Sequence, residues 1–125
     1  MDNYIRLVWA AANRDRETIL VVSRQLGFLT GDEAAEFVHA HVEAGLVVGE
    51  PFVSPEPFDF ANSALTQRIS QYGSIFMKHR LTPPPSEVYS LHRKLAGAFL
   101  LCIKLQAKIP CRDILEDTYR LYQFG

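Results

Sequence analysis

His39, His41 and Glu43 lie close together in the sequence and carry the donor atoms that a zinc ion takes. On a helix, neighbours two apart point to different sides, so His39 and Glu43 share a face and His41 does not. Two donors make an incomplete site, and no metal ligand is assigned. His79 beside Arg80 and His92 beside Arg93 read as basic pairs rather than catalytic bases. No serine or cysteine has an evident base and an orienting acid, so no catalytic residue is assigned. Cys102 and Cys111 sit inside or beside apolar helical patterns, without the spacing of a zinc site or a secreted disulfide framework, and are read as reduced thiols. Gly45 and Gly49 stand alone, without the surrounding glycines and following lysine that cradle a nucleotide, so no cofactor-binding residue is assigned either. What remains is a candidate anion or partner contact at Arg93 and Lys94, near Tyr89. A solvated face with one or two ion pairs is the plainer reading of those residues.

The element that would position this patch is the stretch Val88–Ala107, entered through Pro83-Pro84-Pro85 and left through Pro110. Val88, Leu91, Leu95, Phe99, Cys102 and Ile103 recur at steps of three and four, the spacing of one helical face, and that face must be buried. Leu100 and Leu101 widen the apolar surface, which predicts a central helix with neighbours on more than one side. Gly97 in its middle costs roughly 1 kcal/mol of helix propensity against alanine. Close approach of another helix is the expected compensation.

The remaining elements follow from the same spacing. Tyr4, Leu7, Val8 and Ala11 make a first helix, with Asn13 as the expected cap of the second. Ile19, Leu20, Ser23 and Leu26 make that second helix, and Gly27 stands where a left-handed C-terminal cap is wanted. Thr30 and Glu33 form a capping-box pair, predicting a third helix from Gly31 to Val48 that buries Ala34, Phe37, Val38, His41, Gly45 and Val48. Pro51, Pro55 and Pro57 then make an irregular connection, in which Phe52, Phe58 and Phe60 are candidate anchors holding the loop on a helical core. Leu65, Ile69, Tyr72 and Phe76 predict a fourth helix ending near Leu81. Ile114, Leu115, Thr118, Tyr119 and Tyr122 predict a last one, with a Glu116–Arg120 pair on its surface. No segment alternates with period two. The fold class is therefore all-α, with about six helices in a single domain over residues 1–125.

Thirteen basic and fourteen acidic residues leave a formal charge of −1, so no global field recruits nucleic acid or an acidic membrane. The apolar run Leu95–Ile103 is about half of what a spanning helix needs. The first residues lack the apolar core of a signal peptide, and no targeting segment is recognised.

Taken together, several stretches resemble a known family. Tyr89-Ser90-Leu91-His92-Arg93-Lys94-Leu95-Ala96-Gly97, followed by Phe99-Leu100, Lys104, Ala107 and Pro110-Cys111, closely resembles the C-terminal end of the UbiB/ADCK atypical kinases, in particular the mitochondrial coenzyme Q branch. Tyr4-Ile5, Ala10-Ala11-Ala12, Asp15-Arg16-Glu17, Phe28-Leu29-Thr30-Gly31, Gly49-Glu50-Pro51-Phe52, Pro57-Phe58-Asp59-Phe60 and His79-Arg80-Leu81 resemble it in the same order. The resemblance implies the lower C-lobe of a protein-kinase-like fold, with the N-lobe and catalytic segments expected to precede Met1. It implies ATP and magnesium for the full-length family, and none in this chain, because phosphoryl transfer needs groups to hold both. Asp59-Phe60-Ala61 looks like a DFG triplet but follows a proline-rich loop, and is not assigned that role. The implied place is the matrix side of the mitochondrial inner membrane. The implied partners are the N-terminal kinase core, other coenzyme Q biosynthesis proteins and the membrane surface, without nucleic acid. The competing expectation is a stand-alone helical interaction module that binds a protein or anionic lipid.

Overall fold

The computed structural model describes residues 2–73 and 85–125. Six helices run through them: α1 (Asp2–Ala12), α2 (Arg16–Leu26), α3 (Ala35–Val48), α4 (Leu65–Ser70), α5 (Ser86–Lys104) and α6 (Cys111–Leu121). A 3-10 turn at Glu50–Phe52 follows α3. Two short strands, β1 (Phe58–Asp59) and β2 (Lys108–Ile109), pair antiparallel, with Phe58 opposite Ile109. The chain is thus mostly helical, as its spacing predicts. The ribbon escapes that spacing because two residues are too few to show an alternation.

Local chemistry sets most helix ends. Asp15, not Asn13, caps α2: its Oδ1 accepts the Thr18 amide at 3.2 Å and its Oδ2 the Thr18 hydroxyl at 2.6 Å. Asn13 is turned away, donating to the Trp9 carbonyl at 2.9 Å. Gly27 ends α2 at φ +88, and a Cβ there would lie 2.7 Å from Pro85 Cδ, so both conformation and space call for glycine. The Thr30–Glu33 pair forms, with the Thr30 amide donating to the Glu33 carboxylate at 2.9 Å. It closes a separate turn, because Gly31 sits at φ +103, and α3 begins only at Ala35.

Burial corrects the expected face of α3. Phe37 is fully buried, but Ala34 is exposed and Val38, His41, Gly45 and Val48 are half-buried. Ala40, Val42, Ala44, Leu46 and Val47 are buried instead, so α3 is covered on more than one side. It, rather than α5, is the central helix. Gly49 allows this: a Cβ there would lie 2.7 Å from the Ala11 carbonyl carbon, so the end of α3 touches the backbone of α1. Ala10, Ala11, Ile19, Val42 and Leu46 form the cluster at that crossing. Arg14 beyond it donates to the Leu46 carbonyl.

Along α5 only Val88 and Phe99 are buried. Leu91, Leu95, Cys102 and Ile103 are half-buried, and Leu100 and Leu101 are 55% and 57% exposed. No described residue approaches the position of a Gly97 Cβ within 4 Å. The expected close approach at Gly97 is absent among the described residues, and α5 is held through two clusters instead. Val88 joins Tyr4, Val22, Leu26 and Phe28; Phe99 joins Val47, Phe60, Leu65 and Cys111.

The fourth helix stops at Ser70, short of Tyr72. Phe76, His79, Arg80, Leu81, Pro83 and Pro84 lie outside the described residues. On α6 the Glu116–Arg120 pair gives way to Arg112–Glu116 at 2.7 Å and Asp117–Arg120 at 2.9 Å. Leu115 and Cys111 are buried there, whereas Ile114 is 53% exposed.

Candidate functional site

The two-point attachment of α5 leaves a recess of about 710 Å3 between it and the bundle. Leu7 and Val8 of α1, Ala44 and Gly45 of α3, and Leu95 of α5 give it apolar walls. Its polar groups are few. The Tyr4 hydroxyl lies 3.3 Å from His92 Nδ1, and burial pushes the Tyr4 phenol up to about 12. His41 Nε2 lies 2.9 Å from the fully buried Ser23 hydroxyl. Phe28 stands between the two imidazoles, with ring centroids 5.6 Å from His41 and 5.9 Å from His92. Such a recess can exclude water and hold apolar groups against a small polar rim.

The metal candidates are not brought together. Glu43 pairs with Arg16 at 2.6 Å, His41 faces Ser23, and His39 is exposed. Among the described residues no group of three or more His, Cys, Asp or Glu side chains is gathered. Several carboxylates are engaged in local structure: Asp15 and Glu33 in turns, Glu50 on Arg68, and Asp59 on Asn62. Asp59 ends a strand, its carboxyl held low by the Asn62 amide at 2.7 Å, and Phe60 beside it is core.

Arg93 and Lys94 are exposed on α5, and the Arg93 guanidinium lies 5.8 Å from the Tyr89 ring centroid. The loop phenylalanines surround the far end of α5. Phe60 is 1% exposed; its ring is 5.6 Å from Phe99 and 4.9 Å from Phe58, while Phe52 is 6.1 Å from Phe99. Cys111 belongs to the same cluster, and burial, with Cys102 nearby, pushes its thiol up to about 11. Both cysteines are free. Among the described residues no helix is long and apolar enough to cross a membrane.

Arg112 is the residue that spacing did not single out. Its guanidinium lies 4.9 Å from the Trp9 centroid, donates to Asn13 Oδ1 at 3.1 Å and the Phe52 carbonyl at 3.3 Å, and pairs with Glu116. It ties α1, the proline loop and α6 together. Its signal in the sequence is weak, since the partners are distant along the chain.

No protein-family profile matches the chain. The chain nevertheless belongs to the UbiB/ADCK family of atypical kinases, as relatives matched along nearly its whole length show. Its relatives there include COQ8 proteins. It is 52% identical over 122 residues to the mitochondrial atypical kinase COQ8B of Danio rerio, covering 98% of this chain and 20% of that protein. It is 50% identical over 121 residues to the COQ8B of Rattus norvegicus, covering 97% and 23%. It is 41% identical over 125 residues to the mitochondrial atypical kinase coq-8 of Caenorhabditis elegans, covering 100% and 17%. The chain spans about a fifth of the length of these relatives.

Proposed function

We propose that this chain is the C-terminal structural portion of a mitochondrial UbiB-type kinase or ATPase that supports ubiquinone (coenzyme Q) biosynthesis, without a nucleotide site of its own. The observation that carries this reading is identity of 52% along 98% of the chain to a protein named a mitochondrial atypical kinase. In the proposed role the chain packs beneath catalytic groups supplied by the rest of a longer polypeptide, on the matrix side of the inner membrane. Its loop phenylalanines and Arg112 contribute rigidity rather than chemistry, and Arg93 and Lys94 are left for a partner or the membrane surface.

Magnesium-ATP turnover tests it. The 125-residue chain alone should hydrolyse no more ATP than a heat-treated blank. A chimera in which this chain replaces the matching stretch of the Danio rerio kinase should fold and retain that kinase's nucleotide turnover. Turnover by the isolated chain, or a chimera that fails to fold, overturns the reading.

A further inference from the structure

We infer that Cys102 and Cys111 form a dithiol site that a small disulfide oxidises, with Cys102 reacting first and Cys111 closing a bridge from α5 to α6. The inference concerns the chemistry of these two residues alone and does not depend on the kinase reading.

The fold returns one cysteine to the other. Cys102 lies near the end of α5, and Cys111 is the first residue of α6. Between them the chain turns back at once. The Gln106 amide donates to the Ile103 carbonyl at 3.1 Å and the Ala107 amide to the Cys102 carbonyl at 2.9 Å, with Gln106 at φ +53. Lys108 and Ile109 then hold the return by pairing with Asp59 and Phe58. Cys111 is buried in the cluster of Val47, Phe60, Leu65 and Phe99, and Cys102 packs against the same cluster. Both thiols are free.

Their unequal exposure orders the chemistry. Cys111 is 7% exposed, so its sulfur is closed to a reagent in solvent, whereas Cys102 is half-buried and is the sulfur that a small disulfide meets. Burial, and after it the nearby Cys102, pushes the Cys111 thiol up to about 11, which leaves little thiolate at neutral pH. A nucleophile so weak needs its target held beside it, and the shared cluster does that. In the first step the Cys102 thiolate attacks one sulfur of the small disulfide, forms a mixed disulfide and expels one small thiolate. In the second, Cys111 gives its proton to water, attacks the Cys102 sulfur and expels the other. Two protein thiols are oxidised to one disulfide, and one small disulfide is reduced to two thiols. The bridge closes the loop that carries β2 and ties the start of α6 to α5.

Dithionitrobenzoate, a chromogenic aromatic disulfide, tests the site on the folded 125-residue chain. A fast release of one thiolate per chain should be followed by a slower release of a second, at a rate independent of protein and reagent concentration. The product should carry no label, weigh two hydrogens less than the starting chain and return to it with dithiothreitol. A label retained on either cysteine, a covalent dimer or no release overturns the inference. Cys111→Ala keeps that buried position apolar and should stop at one thiolate, with the label held on Cys102. If this variant does not fold, the label balance of the wild type decides alone. Cys102→Ser should release little over the same time, and release at the wild-type rate overturns the order of attack. Between about pH 7 and about pH 9 the slower phase should quicken roughly tenfold per unit, because the thiolate fraction of Cys111 grows throughout that interval. A slower phase indifferent to pH overturns the role of Cys111 as the attacking group.

Discussion

Helix α3 crosses α1 and runs past α5, and the two encounters are built differently. Against α1 it ends in Gly49, and the helices touch backbone to backbone. Across from α5 no described residue lies within 4 Å of a Cβ at Gly45, and α5 is attached through the clusters around Val88 and Phe99. The first contact is complete within the chain. The second is looser: Leu91 and Leu95 are only half-buried against the two clusters, and His92 meets Tyr4 and Phe28 from an exposed position. Closeness of packing, rather than helix content, therefore distinguishes the two encounters.

The largest effect expected from breaking this contrast is at the far anchor of α5. Phe60→Ala removes a fully buried ring that touches Phe99 and Phe58 and should cost about 3–5 kcal/mol in urea unfolding. A loss below ~1 kcal/mol would mean that the proline loop does not hold α5. Next come two alanine substitutions with opposite signs. Gly49→Ala forces α1 and α3 apart and should destabilise by about 1–3 kcal/mol. Gly97→Ala adds a methyl group to an open helix surface and should stabilise by up to about 1 kcal/mol. Equal signs in thermal melts would erase the difference between the two helices.

The smallest effect is confined to alkali. The Tyr4 phenol is raised from 10 to about 12 by burial at the near anchor of α5. The folded state thus holds this proton more tightly than the unfolded state does. The stabilisation is complete below pH 10 and is lost as pH rises through about 12. The melting temperature of the wild type should fall more steeply over that interval than that of Tyr4→Phe. Parallel slopes would show that Tyr4 is not enclosed.

Legibility in the sequence followed the range of the interaction. Gly27 as a left-handed cap and the Thr30–Glu33 pair are settled by residues a few places apart, and both form. The end of the cap-to-helix step was less readable, because Gly31 at φ +103 diverts the chain before α3 starts. The apolar spacing of α5 located the helix but not its surroundings. Leucines at 100 and 101 have the same spacing whether a neighbour belongs to this chain or to another segment, so a central position did not follow from it. Arg112 was hidden for the converse reason: Trp9, Asn13 and the Phe52 carbonyl meet it only after the chain has closed on itself. The recess had no sequence signature beyond one helical glycine, since residues of five helices line it at once.

Asp2 has a consequence at the opposite edge. Its carboxylate accepts the Tyr122 hydroxyl at 2.6 Å and the Gly125 amide at 2.9 Å, so a single acid fastens the first helical turn to the final residue. These two hydrogen bonds hold its pKa below the ordinary carboxylate range. A polypeptide joined at either terminus would emerge from one shared corner. Tension applied there would pull on the clasp before it reached the buried phenylalanines.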